Sequence, residues 1–398
     1  MAAINNIDGV QLSSSSSNSR YGDRDDSVVI KLEKEAKISC KFTSNAFQAA
    51  PVKIAKEHLK NRSNKEKILL VNAGNANAGN GKLGEKNAML CCKEISEYSG
   101  LVQEDILPFS TGIIGEPLPT SNYIKAFKKA YTSLKPSNWR KVAKAILTTD
   151  TKIKLISKKV VIGKETINIT GFAKGSGMIR PDFATLLSFI FTDADINQLL
   201  LDKLHKEALE KSFERITVDG DTSPNDSSVL VATGKSKIQI RNKSKELVKF
   251  KKELTIIFQS LAKDIIKDAE GAKKEIEIIV NKAKTKTIGK RVAFSIAHSP
   301  LVKTAMYGND ANWGRILAAV GRTNGISDIS RVSIKINNSP LVKKGSRDSR
   351  HNESKASKAV MAKKIKIEVD LSEGKENFSV LTSDLTEDYV LINSDYRS

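Results

Sequence analysis

The chain has few of the residues on which many hydrolytic and metal-dependent sites are built. Its 398 residues include four histidines and three cysteines. The candidates for a histidine-activated nucleophile are therefore only His58, His205, His298 and His351. Cys91 and Cys92 are adjacent, which is not metal-ligand spacing, and with Cys40 they are too few for a disulfide framework. We expect no metal, and interpret the cysteines as small buried apolar residues in a reducing compartment.

Other absences exclude whole classes of protein. No apolar run approaches the roughly 20 residues needed to cross a bilayer. The first eight residues lack the basic start and apolar core of a secretory signal, so the cytoplasm is the expected location. Gly234-Lys-Ser236 resembles the end of a P-loop, but Val229 stands where that motif requires glycine. Dinucleotide-binding glycine patterns and internal repeats of fixed period are also absent from the sequence.

The chain has a large positive charge, +21 at pH 7, with an isoelectric point near 9.6. Such a charge raises nucleic-acid binding as a possibility, because lysine clusters neutralise phosphates. The lysines are spread along the chain and mixed with glutamates, as in residues 245–253. We therefore interpret the charge as a compositional bias and expect no nucleic-acid partner. With 39% hydrophobic and 28% charged residues, the composition is that of a globular protein with one large or two ordinary domains.

The apolar patterns predict interleaved strands and helices. Strands are predicted over residues 67–71, 158–162, 228–231, 275–280, 291–296, 332–336 and 365–371. Helices are predicted over residues 49–60, 83–99, 121–134, 195–213 and 246–268. The serine run 13–17 predicts a loop, and residues 343–364 predict an exposed loop ending in a helix. Because the order has no strict βαβ rhythm, we expect a layered α/β (mixed α+β) sandwich rather than a Rossmann domain.

One segment, Gly175 to Leu187, suggests a nucleophile. Thr185 follows Ala184 directly, at the start of an apolar run that continues to Phe191. If the Ala184–Thr185 bond were cut, Thr185 would carry a hydroxyl nucleophile and its own base, a free α-amine. That amine has a pKa of about 7.7–8.0, which suits a general base near working pH. An alanine–threonine pair alone is an ordinary core or turn sequence, so the case for a nucleophile at Thr185 depends on the motifs in the rest of the chain.

Eight motifs stand in a fixed order along the chain. They are residues 72–81 (NAGNANAGNG), 110–119 (STGIIGEPLP), 147–151 (LTTDT), 174–185 (KGSGMIRPDFAT), 215–226 (RITVDGDTSPND), 269–272 (AEGA), 302–316 (VKTAMYGNDANWGRI) and 392–398 (INSDYRS). Over nearly the whole chain this series resembles the ornithine acetyltransferase family (ArgJ, glutamate N-acetyltransferase). The resemblance implies the self-processing N-terminal-nucleophile fold of ArgJ and DmpA-like proteins.

The resemblance also implies roles for particular residues. Thr185 would be the catalytic nucleophile and the residue exposed by self-cleavage after Ala184. The resulting fragments, 1–184 and 185–398, would contain 184 and 214 residues (398 − 184). Thr111 and Gly112 would form an oxyanion hole from a hydroxyl and a backbone N–H. Without the resemblance, Thr111-Gly112 would be interpreted as a turn after a buried strand.

Substrate contacts are implied for a set of mostly polar residues: Thr148, Thr149, Lys174, Thr185, Glu270, Asn393 and Ser398. Spacing does not decide which of Thr148 and Thr149 contacts substrate. Glu270 would hold the ornithine side-chain ammonium, and the tail with Asn393 and Ser398 would fold over the site. The motifs at 219–226 and 312–315 are interpreted as a turn and a helix start, without catalytic roles.

The implied activity is acetyl transfer in arginine biosynthesis. Acetyl would pass from N2-acetylornithine to Thr185 and then to glutamate, without a cofactor and with two copies of each fragment in the enzyme. Whether acetyl-coenzyme A is a second donor stays open. Two alternatives also stay open: an N-terminal-nucleophile amidase or aminopeptidase, and a basic binding protein without catalysis, which would remain uncleaved.

Overall fold

The computed structural model describes residues 3–60, 63–180, 186–236 and 238–395. Strands and helices alternate, and the sheets contain both parallel and antiparallel pairs, which confirms the predicted mixed α/β class. The chain forms two compact units. Unit 1 comprises Met1–Glu214 and Asp221–Ile265, and unit 2 comprises Arg215–Gly220 and Ile266–Ser398. The predicted cleavage position, 184/185, falls within unit 1, so the expected fragments divide the chain differently from the compact units.

Unit 1 contains two larger sheets and a short strand pair. Its strands are β1 (Val10–Ser15), β2 (Ser27–Leu32), β3 (Lys37–Phe42), β4 (Lys67–Asn75), β5 (Ile106–Ile113), β6 (Lys154–Ile162), β7 (Glu165–Lys174), β8 (Leu187–Thr192), β9 (Asp195–Ile196), β10 (Ser227–Ala232) and β11 (Gln239–Ile240). The first sheet has the order β1-β2-β4-β5, and the second has the order β3-β10-β8-β7-β6. The pairs β4–β5, β8–β10 and β9–β11 are parallel, and the other neighbours are antiparallel.

The two larger sheets of unit 1 pack face to face. One core cluster contains residues from both sheets, and the Phe109 and Phe189 rings meet edge to face across it at 5.3 Å. Helices pack against the sheets, and Trp139 and Val142 of one of them join the core between the two sheets. The helices are α1 (Ala50–His58), α2 (Gly81–Ser99), α3 (Thr120–Thr132), α4 (Trp139–Ala145), α5 (Gln198–Glu210) and α6 (Lys245–Lys267), with 3-10 turns at Gln103–Asp105 and Phe213–Arg215. Strands β4 and β8 are buried along their whole lengths because both sheet faces are covered. The predicted layered sandwich is therefore confirmed for this unit.

Unit 2 is built on one six-stranded sheet. Its strands are β12 (Glu275–Ala283), β13 (Ser333–Ile336), β14 (Ser339–Lys343), β15 (Ser346–Arg347), β16 (Lys364–Asp370) and β17 (Glu376–Ser383), in the order β15-β14-β13-β16-β12-β17. Its helices are α7 (Lys286–Ala297), α8 (Pro300–Tyr307), α9 (Trp313–Gly321), α10 (Glu353–Val360) and α11 (Glu387–Ser394). Asn312 caps α9 by accepting from the Arg315 N–H, which confirms the predicted helix start. None of the helices in the described ranges is long and apolar enough to cross a membrane.

The serine run was wrongly predicted as a loop over its first part. Ser13, Ser14 and Ser15 lie in β1, are buried, and pair with β2. The Ser14 hydroxyl donates to the Asp25 carboxylate at 2.7 Å. The Ser13 and Ser15 hydroxyls have no hydrogen-bond partner among the described residues, so backbone pairing with β2 is what holds this polar run in a buried strand.

The strand predicted over residues 291–296 is also wrong, because these residues lie in α7. Val292, Phe294 and Ile296 alternate with less apolar residues, which is typical of a strand. In the helix the buried side Gly289, Val292, Ala293 and Ile296 follows i, i+3, i+4, i+7 spacing instead. Thr285 starts this helix, since its side chain accepts from the Ile288 N–H.

Candidate active site

Strand β5 ends at a tight contact between two glycines. Gly112 has a φ of +135°, a left-handed conformation that favours glycine. It pairs with Gly74 of β4, and a Cβ added to Gly112 would lie 2.2 Å from the Gly74 carbonyl carbon and 2.4 Å from the Asn75 nitrogen. The NAGN and STG motifs are therefore complementary parts of one strand pair. Thr111 belongs to the buried run of β5 and is only 8% exposed.

A buried lysine joins two of the predicted site residues. Lys174, at the end of β7, is 5% exposed. Its ammonium donates to the Thr148 hydroxyl at 2.9 Å and to the Thr111 hydroxyl at 3.2 Å. The structure thus brings together three residues from separate motifs, and Lys174 is not a solvated surface lysine.

The lysine contact fixes the direction of the hydroxyl groups. An ammonium group has only donors, so Thr111 and Thr148 must accept from Lys174 through their oxygen lone pairs. The hydroxyl hydrogens of both threonines then remain available to donate to another group. Such a donor on Thr111, next to the backbone N–H of Gly112, is the arrangement needed to stabilise a developing oxyanion.

The adjacent Thr149 has a different environment. Its hydroxyl forms a hydrogen bond with the buried Ser176 hydroxyl at 2.8 Å. Thr148, in contrast, belongs to the Lys174 cluster. The two threonines that sequence could not distinguish therefore face different neighbours, and Thr148 is the one grouped with Thr111. The backbone before them is held by Arg24, whose guanidinium donates to the Leu147 carbonyl oxygen.

Asp150 is a site residue that sequence reasoning did not select. Its fully buried carboxylate lies 2.6 Å from the Lys154 ammonium and 3.9 Å from the Lys174 ammonium. It also accepts from the Gly175 N–H at 2.7 Å. Burial opposes ionisation of this carboxyl, but the Lys174 and Lys154 charges and the hydrogen bonds outweigh burial, so the pKa of Asp150 is lowered. The signal was present in the TTDT motif and in the Asp150–Lys154 spacing of four residues.

Two further predicted residues meet within unit 2. Glu270 lies in a turn after α6, and Asn393 lies near the end of α11. The Asn393 amide donates to the Glu270 carboxylate at 2.9 Å and to the Tyr389 carbonyl oxygen at 3.0 Å. The resemblance gave both residues a role in substrate binding, and the structure places their side chains in direct contact.

The remaining predicted residues lie outside the described part of the chain. They are Ala184, Thr185 and Ser398. The residues that follow Ala184 and Thr185 are described, and one of them pairs with a residue of the candidate site. Leu187, two residues after Thr185, pairs with Lys174, and the Ser227 N–H donates to the Leu186 carbonyl oxygen at 3.1 Å.

Metal-ligating side chains do not cluster in the described part of the chain. In residues 3–60, 63–180, 186–236 and 238–395, no group of three or more His, Cys, Asp or Glu side chains could hold a metal ion. Cys91 and Cys92 are buried, and burial raises the pKa of both thiols, that of Cys91 to about 12. Both are therefore protonated at neutral pH, in agreement with their interpretation as small apolar residues. Cys40 is half-buried.

Comparisons with known proteins find relatives over nearly the whole chain. A family model described as the ArgJ family matches residues 11–398. A curated protein from Psychrobacter arcticus, named arginine biosynthesis bifunctional protein ArgJ, is 43% identical over 398 residues, covering 98% of this chain and 97% of that protein. A protein of the same name from Methylococcus capsulatus is 40% identical over 394 residues, covering 98% and 96%. The crystal structure of a Bacillus halodurans protein of that name is 36% identical, with a TM-score of 0.49, and the match covers 51% of this chain and 96% of that one.

Proposed function

The chain belongs to the ArgJ family, and from this premise we propose that it transfers acetyl from N2-acetylornithine to glutamate in arginine biosynthesis. The observation that carries the proposal is the buried Lys174 ammonium, which bridges Thr111 and Thr148 beside Gly112. Three motifs far apart in sequence converge on one donor cluster. Such a cluster has the chemistry that an acyl-transfer transition state requires.

The first half-reaction loads the enzyme. The α-amine of Thr185 takes the hydroxyl proton, and the oxygen attacks the acetyl carbonyl of acetylornithine. The carbonyl becomes an oxyanion, which accepts hydrogen bonds from the Thr111 hydroxyl and the Gly112 N–H. Collapse of this intermediate breaks the C–N bond, and the Thr185 ammonium returns its proton to the departing ornithine amine. The product is an acetyl ester on Thr185.

The second half-reaction transfers the acetyl group. The α-amine of glutamate attacks the ester carbonyl, and the same donors stabilise the new oxyanion. The C–O bond then breaks, and the proton lost by the glutamate nitrogen passes through the Thr185 α-amine to the Thr185 oxygen. Because the intermediate is covalent, one substrate leaves before the other reacts, which is a ping-pong mechanism.

The same hydroxyl would produce its own base. In the uncut chain the Thr185 oxygen attacks the Ala184 carbonyl, and the peptide bond rearranges to an ester. Water hydrolyses the ester, which leaves a carboxylate on Ala184 and a free α-amine on Thr185. This step would yield fragments 1–184 and 185–398, and we propose an enzyme that contains two copies of each.

Charged residues support the proposed substrate binding. The Lys174 ammonium adds positive potential next to the proposed oxyanion donors, and Asp150 holds it in place. Glu270, fixed by Asn393, offers a carboxylate for the side-chain ammonium of ornithine. We propose cytoplasmic action without a cofactor, with acetyl-coenzyme A as a candidate second donor for glutamate.

The proposed function is tested by measuring where the acetyl group of acetylornithine goes. Purified protein is incubated with acetylornithine, with and without glutamate, and ornithine, acetylglutamate and free acetate are measured. We expect ornithine and acetylglutamate to form in equal amounts only when glutamate is present. Acetate released at the same rate with and without glutamate would instead identify an N-terminal-nucleophile amidase. A chain that stays uncleaved, makes neither product and binds nucleic acid in a salt-sensitive manner would be a binding protein.

A further inference from the structure

Helix α11 carries Asn393 but is not held by apolar packing. None of its residues, Glu387–Ser394, is buried, and Leu391 is 61% exposed. A helix usually keeps its place by burying one face, and α11 lacks such a face. Yet the Asn393–Glu270 contact of 2.9 Å requires that the helix be placed accurately. Polar contacts near the start of the helix must therefore supply much of that placement.

Thr386 provides the main contact of this kind. It precedes α11 and is 3% exposed. Its hydroxyl accepts from the Tyr389 N–H at 3.2 Å, which caps the helix, and donates to the Gly271 carbonyl oxygen at 2.8 Å. Gly271 directly follows Glu270. One hydroxyl group thus connects the turn that carries Glu270 to the helix that carries Asn393.

The turn and the helix are also in direct backbone contact. Gly271 has a φ of +65°, and a Cβ on it would lie 2.4 Å from the Tyr389 nitrogen and 2.8 Å from the Asp388 carbonyl carbon. Only glycine permits this approach. The short distance between the two backbones leaves little freedom in the spacing between Glu270 and Asn393 as long as the Thr386 hydrogen bonds persist.

A second anchor fixes the other end of the turn. The buried Asp384 carboxylate accepts from the N–H groups of Lys273 and Lys274, both at 3.0 Å. Asp384 and Thr386 are two residues apart, so one short segment holds the Glu270 turn from both sides. Displacement of the Glu270 backbone away from Asn393 would require this segment to move.

We propose that Thr386 is a positioning residue for Glu270 and that it sets the preference for acetylated amino acids whose side chain ends in an ammonium group. The inference rests on the proposed function. Hydrogen bonding to an ammonium depends on both the direction and the distance of the accepting carboxylate. A displaced Glu270 therefore weakens binding of acetylornithine, whereas binding of a substrate without the ammonium is unchanged.

The test compares two substrates and two matched variants. Thr386→Val removes the hydroxyl with little change in shape, and Thr386→Ser retains the hydroxyl. The substrates are N2-acetylornithine and N-acetylnorvaline, which has the same carbon chain without the terminal amine. For Thr386→Val we expect the KM for acetylornithine to rise about tenfold, as for loss of one hydrogen-bonded contact, while kcat/KM for acetylnorvaline stays within about twofold. Thr386→Ser should match the unaltered enzyme.

A double-mutant cycle shows whether Thr386 acts through Glu270. Glu270→Gln alone should raise the KM for acetylornithine, and adding Thr386→Val to it should cause no further loss, because the two changes remove the same interaction. If Thr386→Val is too unstable to purify, Tyr389→Phe is used. It removes only the hydroxyl that contacts Asp219 at 3.3 Å from the same helix, and should raise the KM for acetylornithine alone, about threefold.

Several results would overturn the proposal. They are an equal loss of kcat/KM for both substrates, additive increases in the KM for acetylornithine in the double variant, and a Thr386→Ser enzyme as impaired as Thr386→Val. The proposed function fails separately. If the unaltered enzyme transfers no acetyl from acetylornithine to glutamate, both proposals fall. If the unaltered enzyme does transfer acetyl, and the KM for acetylornithine rises in Glu270→Gln but not in Thr386→Val, only the proposed role of Thr386 is wrong.

Discussion

At the scale of single residues, the buried charges around Lys174 determine both structure and chemistry. Two ammonium groups, on Lys174 and Lys154, share one carboxylate, that of Asp150, whose side chain is fully buried. An unpaired charge in such an environment costs several kcal/mol, so removal of one partner is far more harmful than loss of a surface ion pair. The same pairing holds the Lys174 ammonium where it contacts the Thr111 and Thr148 hydroxyls.

Replacement of Asp150 should therefore lower stability in a pH-dependent manner. Asp150→Asn is expected to reduce the free energy of unfolding by about 3–5 kcal/mol at pH 7. Because the folded-state pKa of Asp150 is lowered, its stabilising contribution is complete above the unfolded pKa of about 3.9 and is lost as pH falls through the folded pKa. The difference between variant and parent in urea unfolding should thus narrow below about pH 4.

The exposed Asp23 offers the matched control, since Asp23→Asn should change stability by less than about 0.5 kcal/mol at either pH. A difference between Asp150→Asn and its parent that stays constant from pH 7 to pH 3 would contradict the electrostatic explanation.

Gly112 gives a second prediction at this scale. Gly112→Ala places a Cβ within 2.4 Å of two backbone atoms of Gly74 and Asn75, so we expect a loss of stability above about 3 kcal/mol or failure to fold. Gly163 is the control, because it also has positive φ, +65°, but a Cβ there meets nothing within 4 Å. Gly163→Ala should cost only about 1–2 kcal/mol in urea unfolding. Equal effects of both substitutions would show that steric contact at Gly112 is unimportant.

At the scale of elements, the proposed cleavage position lies between two paired strands. β7 precedes residue 184 and β8 follows it, and they pair antiparallel from Ile169–Thr192 to Lys174–Leu187. β3 and β10 pair in the same sheet and also come from opposite sides of the cleavage position. Cutting the chain leaves these hydrogen bonds and the shared core intact.

The two fragments should consequently stay together after cleavage. Size-exclusion chromatography in native buffer is expected to give one peak that contains both fragments, and the same column in concentrated urea should resolve them. Thr185→Ala, which lacks the nucleophile, should give one intact chain of 43.6 kDa on a denaturing gel. Separation of the fragments in native buffer would contradict the intertwined sheet.

Elements with a clear apolar pattern could be predicted from sequence, including the short strands predicted over residues 228–231 and 332–336, whereas polar or ambiguous patterns misled. Helix α6 was correctly predicted because Leu254, Ile257, Leu261 and Ile265 repeat at helical spacing and are all buried. Helix α7 was misread, since a six-residue window cannot distinguish alternation from one helical face. The serines of β1 were mispredicted for another reason: their place in a strand depends on backbone pairing with β2, which a local pattern does not reveal.

At the scale of the whole molecule, the order of eight motifs identified the family, whereas composition pointed elsewhere. A net charge of +21 would have suggested nucleic acid, whereas the buried cluster at the site uses two lysines, Lys174 and Lys154. The residues Thr111, Lys174 and Thr148 could be named from motifs, but their mutual contacts could not. Those contacts arise from the pairing of distant strands, and so does the role of Asp150.

The central claim is that acetyl is carried by Thr185 after the chain is cut before it. The most direct test quenches the enzyme with acid during turnover of N2-acetylornithine and analyses its peptides by mass spectrometry. The account predicts a peptide that begins at Thr185 and is heavier by one acetyl group, about 42 Da, with the extra mass lost when glutamate is added before quenching. Acetyl on any other residue, or an active enzyme with no chain end at Thr185, would contradict it.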